Sequence, residues 1–121
     1  MSKILVIDDD SGIQDALAAI LEFDGHEVQL EVSDERVLTM EDRELPDLII
    51  LDLLLSGKDG KTIAKGFKNN DRLKHIPIIM LSAHPSAQQS ALESGADDFL
   101  AKPFDMDVLL KKVRSNLKDD R

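Results

Sequence analysis

The sequence between positions 47 and 52 reads Asp47-Leu48-Ile49-Ile50-Leu51-Asp52. Its four consecutive apolar residues indicate a strand that is buried on both faces of a sheet. Asp52 stands where this strand should end, and the turn-forming segment 56–60 follows soon after it. Open α/β sheets carry their active groups at the carboxyl ends of such strands. Because a single aspartate in this place is more typical of a turn cap, the other strand ends must decide its role.

Further strands and helices alternate along the chain. Four more segments have the composition of strands, and they are residues 3–7, 27–32, 76–81 and 98–101. The second of these alternates polar and apolar side chains, which is typical of a half-exposed strand at a sheet edge. Apolar residues at helical spacing predict five helices, over residues 11–24, 33–44, 61–70, 86–94 and 105–117. This alternation predicts a parallel sheet with helices on both faces.

Several helix ends carry their own signals. Asp10 or Ser11 is the predicted N-cap of the first helix, and Gly25 is its predicted stop. Ser33 is predicted to cap the second helix and Asp105 the last one.

The composition limits the classes of function. A chain of 121 residues suggests one domain over residues 1–121, and its net charge of −9 argues against direct binding to nucleic acid or to an anionic membrane. With no cysteine, the chain has no disulfide, thiolate or zinc–thiolate chemistry. The amino terminus resembles neither a signal peptide nor a membrane span, so we expect a cytoplasmic protein.

Reactive side chains follow four of the five predicted strands. They are Asp8 and Asp9 after the first, Asp52 after the third, Ser82 after the fourth and Lys102 after the fifth. In a doubly wound sheet of strand order 2-1-3-4-5, the first, third, fourth and fifth strands are neighbours, and their carboxyl ends converge on one crevice. The sequence therefore predicts three acids, a hydroxyl and an ammonium group in one pocket.

This set of groups suits a metal ion and a phosphoryl group. Two carboxylates about 4 Å apart repel by roughly 1 kcal/mol in water and by roughly 4 kcal/mol at an effective dielectric constant near 20, so three together call for a cation. Oxygen ligands without cysteine favour Mg²⁺, with Mn²⁺ as the alternative. Lys102 suits a phosphate, Ser82 can donate to a phosphoryl oxygen, and an aspartate can be the nucleophile. The pattern indicates phosphoryl transfer rather than a solvated acidic rim.

The segments that carry these residues resemble the receiver domain of two-component response regulators, of the CheY-like superfamily. The matching blocks are residues 4–10, 46–53, 59–60, 79–83 and 95–104. The resemblance extends over nearly the whole chain. It implies a flavodoxin-like, doubly wound, five-stranded parallel sheet of order 2-1-3-4-5 with five helices, and a role in signal transduction.

The resemblance also implies roles at the metal and the phosphoacceptor. Asp52 would be the phosphoacceptor, taking a phosphoryl group from a phosphohistidine of a sensor histidine kinase or a histidine phosphotransfer protein. Asp9 would bind Mg²⁺ directly, Asp8 mainly through water, and Leu54 through its backbone carbonyl. The Lys102-Pro103 peptide bond would be cis.

The switch residues follow from the same resemblance. Ser82 would be the switch hydroxyl, Lys102 the phosphate-binding lysine and Phe99 the switch aromatic, which would repack inward on phosphorylation. Leu54 and His84 stand at the positions that tune the lifetime of the acyl phosphate. Because Leu54 is apolar and cannot orient a water molecule, we expect slow self-dephosphorylation.

Two positions depart from the family pattern, and two histidines lie away from the pocket. Ser56 stands where the family often has proline, and Phe99 where it often has tyrosine. His26 and His75 lie in polar turns and are predicted to be surface residues.

The leading hypothesis is a phosphorylation switch whose output surface is formed by the fourth helix, the last strand and the last helix. Such a protein is not an enzyme beyond its own phosphoryl transfer and dephosphorylation. The alternatives are a Mg²⁺-dependent aspartyl-phosphate phosphatase, which usually has a second acid where Leu54 stands, and a phosphorylation-independent adaptor. Expected partners are the phosphodonor protein and a downstream effector or fused output domain. A phosphorylation-dependent homodimer, the cognate kinase, and a stand-alone or longer protein all stay open.

Overall fold

The sheet of the computed structural model has the predicted strand order. The structure describes residues 2–55 and 57–117. Its five parallel strands are β1 (Lys3–Ile7), β2 (Glu27–Glu31), β3 (Leu48–Asp52), β4 (Ile78–Ser82) and β5 (Asp98–Ala101). They are arranged in the order 2-1-3-4-5, with β3 at the centre, where Ile50 pairs with Val6 of β1 and with Ile79 of β4. The prediction of a flavodoxin-like, doubly wound sheet is confirmed.

Helices connect successive strands. They are α1 (Ser11–Phe23), α2 (Glu35–Thr39), α3 (Gly60–Lys68), α4 (Gln88–Glu93) and α5 (Met106–Leu117). Short 3₁₀ turns lie at Asp42–Glu44 and Pro85–Ala87. Between β3 and α3, residues Leu54–Leu55 pair in antiparallel fashion with Lys58–Asp59, forming a small hairpin directly after Asp52.

Alternate residues of the strands fill two separate cores, because successive side chains of a strand point to opposite faces. One core joins Leu5, Ile49 and Met80 to residues of α2, α3 and α4, with Phe67 among its largest fully buried side chains. The other joins Ile4, Ile50 and Leu81 to residues of α1 and α5. Both faces of β1, β3 and β4 are therefore covered, as their apolar runs predict.

The predicted helix caps are partly confirmed. The Asp10 side chain accepts hydrogen bonds from the backbone amides of Gly12 and Ile13 and so caps α1. Gly25 follows the end of α1 with a φ of 92°, a conformation that suits glycine. The Asp59 side chain, in the predicted turn segment 56–60, accepts a hydrogen bond from the backbone amide of Lys61 and so caps α3.

The second and fourth helices are shorter than predicted. The predicted helix over residues 33–44 ends at Thr39, and Met40 adopts extended backbone. The guanidinium of Arg72, 32 residues away, donates a hydrogen bond to the Met40 carbonyl and satisfies it outside the helix. The N-cap residue of α2 is Asp34 rather than Ser33. The predicted helix over residues 86–94 opens with a 3₁₀ turn at Pro85, and its α-helical part begins only at Gln88.

The β2 edge of the sheet is exposed, as its alternating sequence predicts. Leu30 is partly exposed, and Val32 lies outside the strand with 63% of its surface accessible. The prediction that His26 is a surface residue is wrong, because its side chain is only 11% exposed and lies 3.3 Å from Asp24. His75 is exposed, as predicted. Each helix in the described part of the chain is too short or too polar to span a bilayer.

Candidate metal centre

Three carboxylates meet at the carboxyl ends of β1 and β3. These two strands are neighbours, and Ile7 pairs with Leu51, so the residues that follow them also lie side by side. One carboxylate oxygen from each of Asp8, Asp9 and Asp52 lies within 4.8 Å of the others. Asp8 and Asp52 are buried, whereas Asp9 is exposed at the rim. The predicted convergence of the three acids is therefore present in the structure.

Lys102 adds the positive charge to this cluster. Its ammonium nitrogen lies 3.2 Å from Oδ1 of Asp52 and 3.4 Å from Oδ2 of Asp8. Its backbone amide donates to the Ser82 carbonyl, which places the start of the loop after β5 beside the end of β4. The Lys102-Pro103 peptide bond is cis, as predicted. Residues 94 positions apart in the sequence thus form one ionic cluster.

The electrostatics of the cluster are dominated by the excess of negative charge. Burial and the Asp8 carboxylate raise the pKa of Asp52, and together they outweigh the lowering effect of Lys102 and of a hydrogen bond from the Leu54 backbone. Burial lowers the pKa of Lys102, but Asp52 and Asp8 outweigh it, so this pKa is raised overall. Among the described residues, the single ammonium group of Lys102 is shared between two buried carboxylates, those of Asp8 and Asp52. The site therefore favours an additional cation.

The donor set fits a hard divalent cation. Its three acidic side chains offer only oxygen ligands, two of them from buried groups held by neighbouring strands. Mg²⁺ and Mn²⁺ prefer such ligands and keep part of their water shell, for which the exposed side of Asp9 leaves room. The site residues thus suit the predicted Mg²⁺ and are equally compatible with Mn²⁺.

Backbone groups hold the acids in place. The amide of Asp10 donates to Oδ1 of Asp8 at 2.9 Å, and the nearby backbone of Leu54 lowers the pKa of the Asp52 carboxyl. Gly60 lies against this turn so closely that a Cβ atom there would stand 2.6 Å from the carbonyl oxygen of Asp52. The start of α3 is therefore in direct backbone contact with the segment that carries Asp52.

The structure places the remaining predicted residues around this cluster. Ser82 is buried at the end of β4, and its hydroxyl accepts a hydrogen bond of 3.0 Å from the His84 backbone amide. His84 itself is exposed and does not belong to the candidate metal-binding group. Phe99 is 5% exposed and belongs to the core that contains Met80. The side chain of Leu54 is exposed beside Asp52. Ser56 lies outside the described residues.

Other contacts around the site were not predicted from the sequence. Gln14 of α1 is buried, and its side-chain amide donates to the carbonyl of Glu31, which also accepts from the Asp8 backbone amide. Lys58 of the hairpin forms an ion pair of 2.7 Å with Asp34, at the start of α2. Neither contact has a local sequence signal, because each joins residues that are 17 or more positions apart.

Comparisons with known proteins agree with this geometry. A family model described as the response regulator receiver domain matches residues 4–114. The DNA-binding dual master transcriptional regulator RpaA of Synechocystis is 39% identical over 120 residues, which cover 98% of this chain and 50% of RpaA. The chain thus spans about half the length of this relative.

Solved structures share the fold over its whole extent. A putative response regulator from Chloroflexus aurantiacus superposes with a TM-score of 0.90 at 36% identity, over 98% of both chains. The receiver domain of the sensor histidine kinase PA1611 from Pseudomonas aeruginosa, solved with a magnesium ion coordinated in its active-site cleft, gives a TM-score of 0.85 at 25% identity over 98% of both chains. The chain belongs to the family of response regulator receiver domains of two-component systems.

Proposed function

We propose that this chain is a phosphorylation switch that accepts a phosphoryl group on Asp52 in a Mg²⁺-dependent reaction. The donor is the phosphohistidine of a sensor histidine kinase or of a histidine phosphotransfer protein. The observation that carries the proposal is the convergence of Asp8, Asp9, Asp52 and Lys102 at the carboxyl ends of neighbouring strands. The magnesium ion coordinated in the cleft of the PA1611 receiver domain supports the choice of metal.

The chemistry follows from the positions of these groups. A carboxylate oxygen of Asp52 attacks the phosphorus atom, an O–P bond forms and the P–N bond to the histidine breaks. The electron pair stays on the imidazole nitrogen. Lys102, at 3.2 Å from Asp52, lies where it can pair with a phosphoryl oxygen. A divalent cation held by Asp8, Asp9 and Asp52, with the Leu54 carbonyl as the predicted fourth protein ligand, supplies charge compensation for the phosphoryl oxygens.

The output of the switch is a change on the surface formed by α4, β5 and α5. The new phosphoryl group attracts the Ser82 hydroxyl, which can then donate its proton to a phosphoryl oxygen in place of the His84 carbonyl, to which it now donates at 3.5 Å. Movement of the loop after β4 alters the packing around Phe99 and Ala91, which share one core. Phe99 is already buried in that core. Its predicted inward repacking on phosphorylation stays a prediction.

The same features rank the alternative functions. The chain catalyses only its own phosphoryl transfer and dephosphorylation, because the exposed Leu54 gives Asp52 no neighbouring acid of the kind that an aspartyl-phosphate phosphatase uses. A phosphorylation-independent adaptor would not need the complete acidic cluster. A downstream effector or fused output domain, a phosphorylation-dependent homodimer, a lack of direct nucleic-acid binding and a cytoplasmic location stay predictions. Lifetime-tuning roles for Leu54 and His84 belong with them.

Labelling by acetyl phosphate tests the proposal. Incubation with acetyl phosphate and Mg²⁺, followed by intact-mass measurement, should add one phosphoryl group to the chain. Asp52→Asn should abolish the labelling, whereas Asp71→Asn, which alters an exposed aspartate in the loop before β4, should label normally. Persistent labelling of the Asp52→Asn variant would assign the nucleophile to another residue and overturn the proposal.

A further inference from the structure

The hairpin after Asp52 connects the candidate phosphoacceptor to the other side of the molecule. In this hairpin, Leu54 pairs with Asp59 and Leu55 pairs with Lys58. The Leu54 backbone lies two residues past Asp52 and lowers the pKa of its carboxylate. Any shift of the hairpin therefore moves a backbone group that acts on Asp52.

An ion pair fixes the outer end of this hairpin. The ammonium nitrogen of Lys58 lies 2.7 Å from Oδ1 of Asp34, a residue 24 positions earlier at the start of α2. The Asp34 side chain is only 15% exposed, so the acceptor is held by its surroundings, while Lys58 reaches to it from the surface. The hydrogen bond to Asp34, followed by the charge of Asp34, raises the pKa of Lys58.

Side-chain packing beneath this contact is incomplete. A groove of about 390 Å³ runs between α2 and α3, and its lining includes both partners of the ion pair together with Leu38, Ile63 and Phe67. The ion pair therefore spans the rim of an open groove. Leu55 anchors the inner strand of the hairpin in the core that contains Ile63 and Phe67, and the ion pair holds its partner Lys58 on the groove side.

We infer that Lys58 and Asp34 are positioning residues, whose ion pair, acting through the hairpin, holds the Leu54 backbone in place beside Asp52. The inference rests on the proposed function, since its effect is on cation binding and on phosphoryl acceptance by Asp52. Neither Lys58 nor Asp34 contacts the reacting atoms in this role. The contact is partly exposed, so its loss should change these processes by about two- to fivefold rather than abolish them.

Single and exchanged substitutions test this inference. Lys58→Met removes the charge but keeps most of the aliphatic side chain, and Asp34→Asn keeps the shape of a residue whose side chain makes no capping bond to α2. The exchange variant, Lys58→Asp with Asp34→Lys, restores an ion pair in which the acidic and the basic residue have changed places. Lys74→Met is the matched control, because it breaks an exposed ion pair with Asp71 in the loop before β4.

Three measurements separate positioning from a general loss of structure. In the metal-free protein, hydrogen exchange of the Leu54 amide should accelerate by about two- to fivefold in both single variants. Calorimetric titration with MgCl₂ should give a dissociation constant that is higher by a similar factor. Labelling by acetyl phosphate at subsaturating Mg²⁺ should slow accordingly, and the exchange variant should recover at least half of each loss.

The outcomes are distinct from those of the proposed function. The positioning role alone would be overturned if Lys58→Met and Asp34→Asn showed the hydrogen exchange and the Mg²⁺ affinity of the wild-type chain while Asp52 was still labelled. Equal changes in Lys74→Met, or single-variant losses that the exchange variant does not recover, would also overturn it. Labelling that persists in Asp52→Asn would instead overturn the proposed function.

Discussion

The ionised form of Asp52 lowers the free energy of unfolding of the protein. Its pKa is raised above the ordinary value of 3.8, mainly by burial and by the Asp8 carboxylate. Between 3.8 and this raised value the folded chain binds more protons than the unfolded chain, so stability falls as the pH rises through that window. Above the raised pKa the full cost of the charged carboxylate is present. Functional groups that are held against their own electrostatics are common at active sites.

Replacing Asp52 by Asn should therefore stabilise the metal-free protein. We expect the free energy of unfolding at pH 7 to rise by about 0.5–2 kcal/mol, in the range of other stabilising substitutions. The charge-dependent part of this difference should disappear as the pH falls well below 3.8, where the Asp52 carboxyl is protonated in both the folded and the unfolded wild-type chain. Urea unfolding at several pH values measures it. A variant that is less stable than wild type at pH 7 would show that Asp52 is favourably compensated.

A second prediction at the scale of single residues concerns Leu54 and the lifetime of the acyl phosphate. Its side chain is 63% exposed and apolar, so at this position nothing can orient a water molecule toward a phosphorylated Asp52. We expect the acyl phosphate to persist for minutes or longer after removal of acetyl phosphate, followed by intact mass. Leu54→Asn should shorten the lifetime by supplying a polar group. A half-life of a few seconds in the wild-type chain would contradict this expectation.

Two glycines of α3 provide a matched test at the scale of the element. A Cβ atom at Gly60 would lie 2.6 Å from the Asp52 carbonyl and 2.8 Å from the Leu53 Cα, both backbone atoms that cannot move aside. At Gly66 no atom lies within 4 Å of the same position. Gly60→Ala should destabilise the protein by about 1–3 kcal/mol, whereas Gly66→Ala should stabilise it by about 0.4–1 kcal/mol. Urea midpoints for both variants check the pair, and equal effects would show that the contact at Gly60 is tolerated.

Elements whose signals are local could be predicted, and those shaped by distant residues could not. The apolar runs of β1, β3 and β4 require burial on both faces, which places these strands inside the sheet. The end of α2 depends on Arg72, which no helix signal near Thr39 reveals. Similarly, the burial of His26 depends on packing around the α1–β2 turn, where Asp24 also binds Arg114 of α5.

The candidate site also has parts that could be predicted from the sequence and parts that could not. Asp8, Asp9, Asp52 and Lys102 follow strands, so strand order alone brings them together, and the structure confirms their proximity. The hairpin after β3 has no such rule. Its ion pair to Asp34 depends on how the loop before α2 meets the loop before α3, and neither loop has a periodic pattern.

At the scale of the whole molecule, the proposed binding of a divalent cation would be coupled to folding, because only the folded chain gathers the three carboxylates. A ligand that binds only the folded state at one hundred times its dissociation constant adds about 2.7 kcal/mol of stability. MgCl₂ should therefore raise the melting temperature of the wild-type chain by several degrees. This increase links the geometry of one site to the stability of the entire fold.

The Asp9→Asn variant isolates this effect. Asp9 offers one of the three clustered carboxylate oxygens, so this substitution removes a predicted metal ligand, and the metal-free melting temperature of each chain serves as its own baseline. We expect most of the increase in melting temperature with MgCl₂ to be lost, and KCl at the same ionic strength should not reproduce the wild-type increase. Thermal unfolding followed by circular dichroism measures both. An equal increase in Asp9→Asn and wild type would mean that Mg²⁺ acts on the net charge of −9 rather than at the three carboxylates.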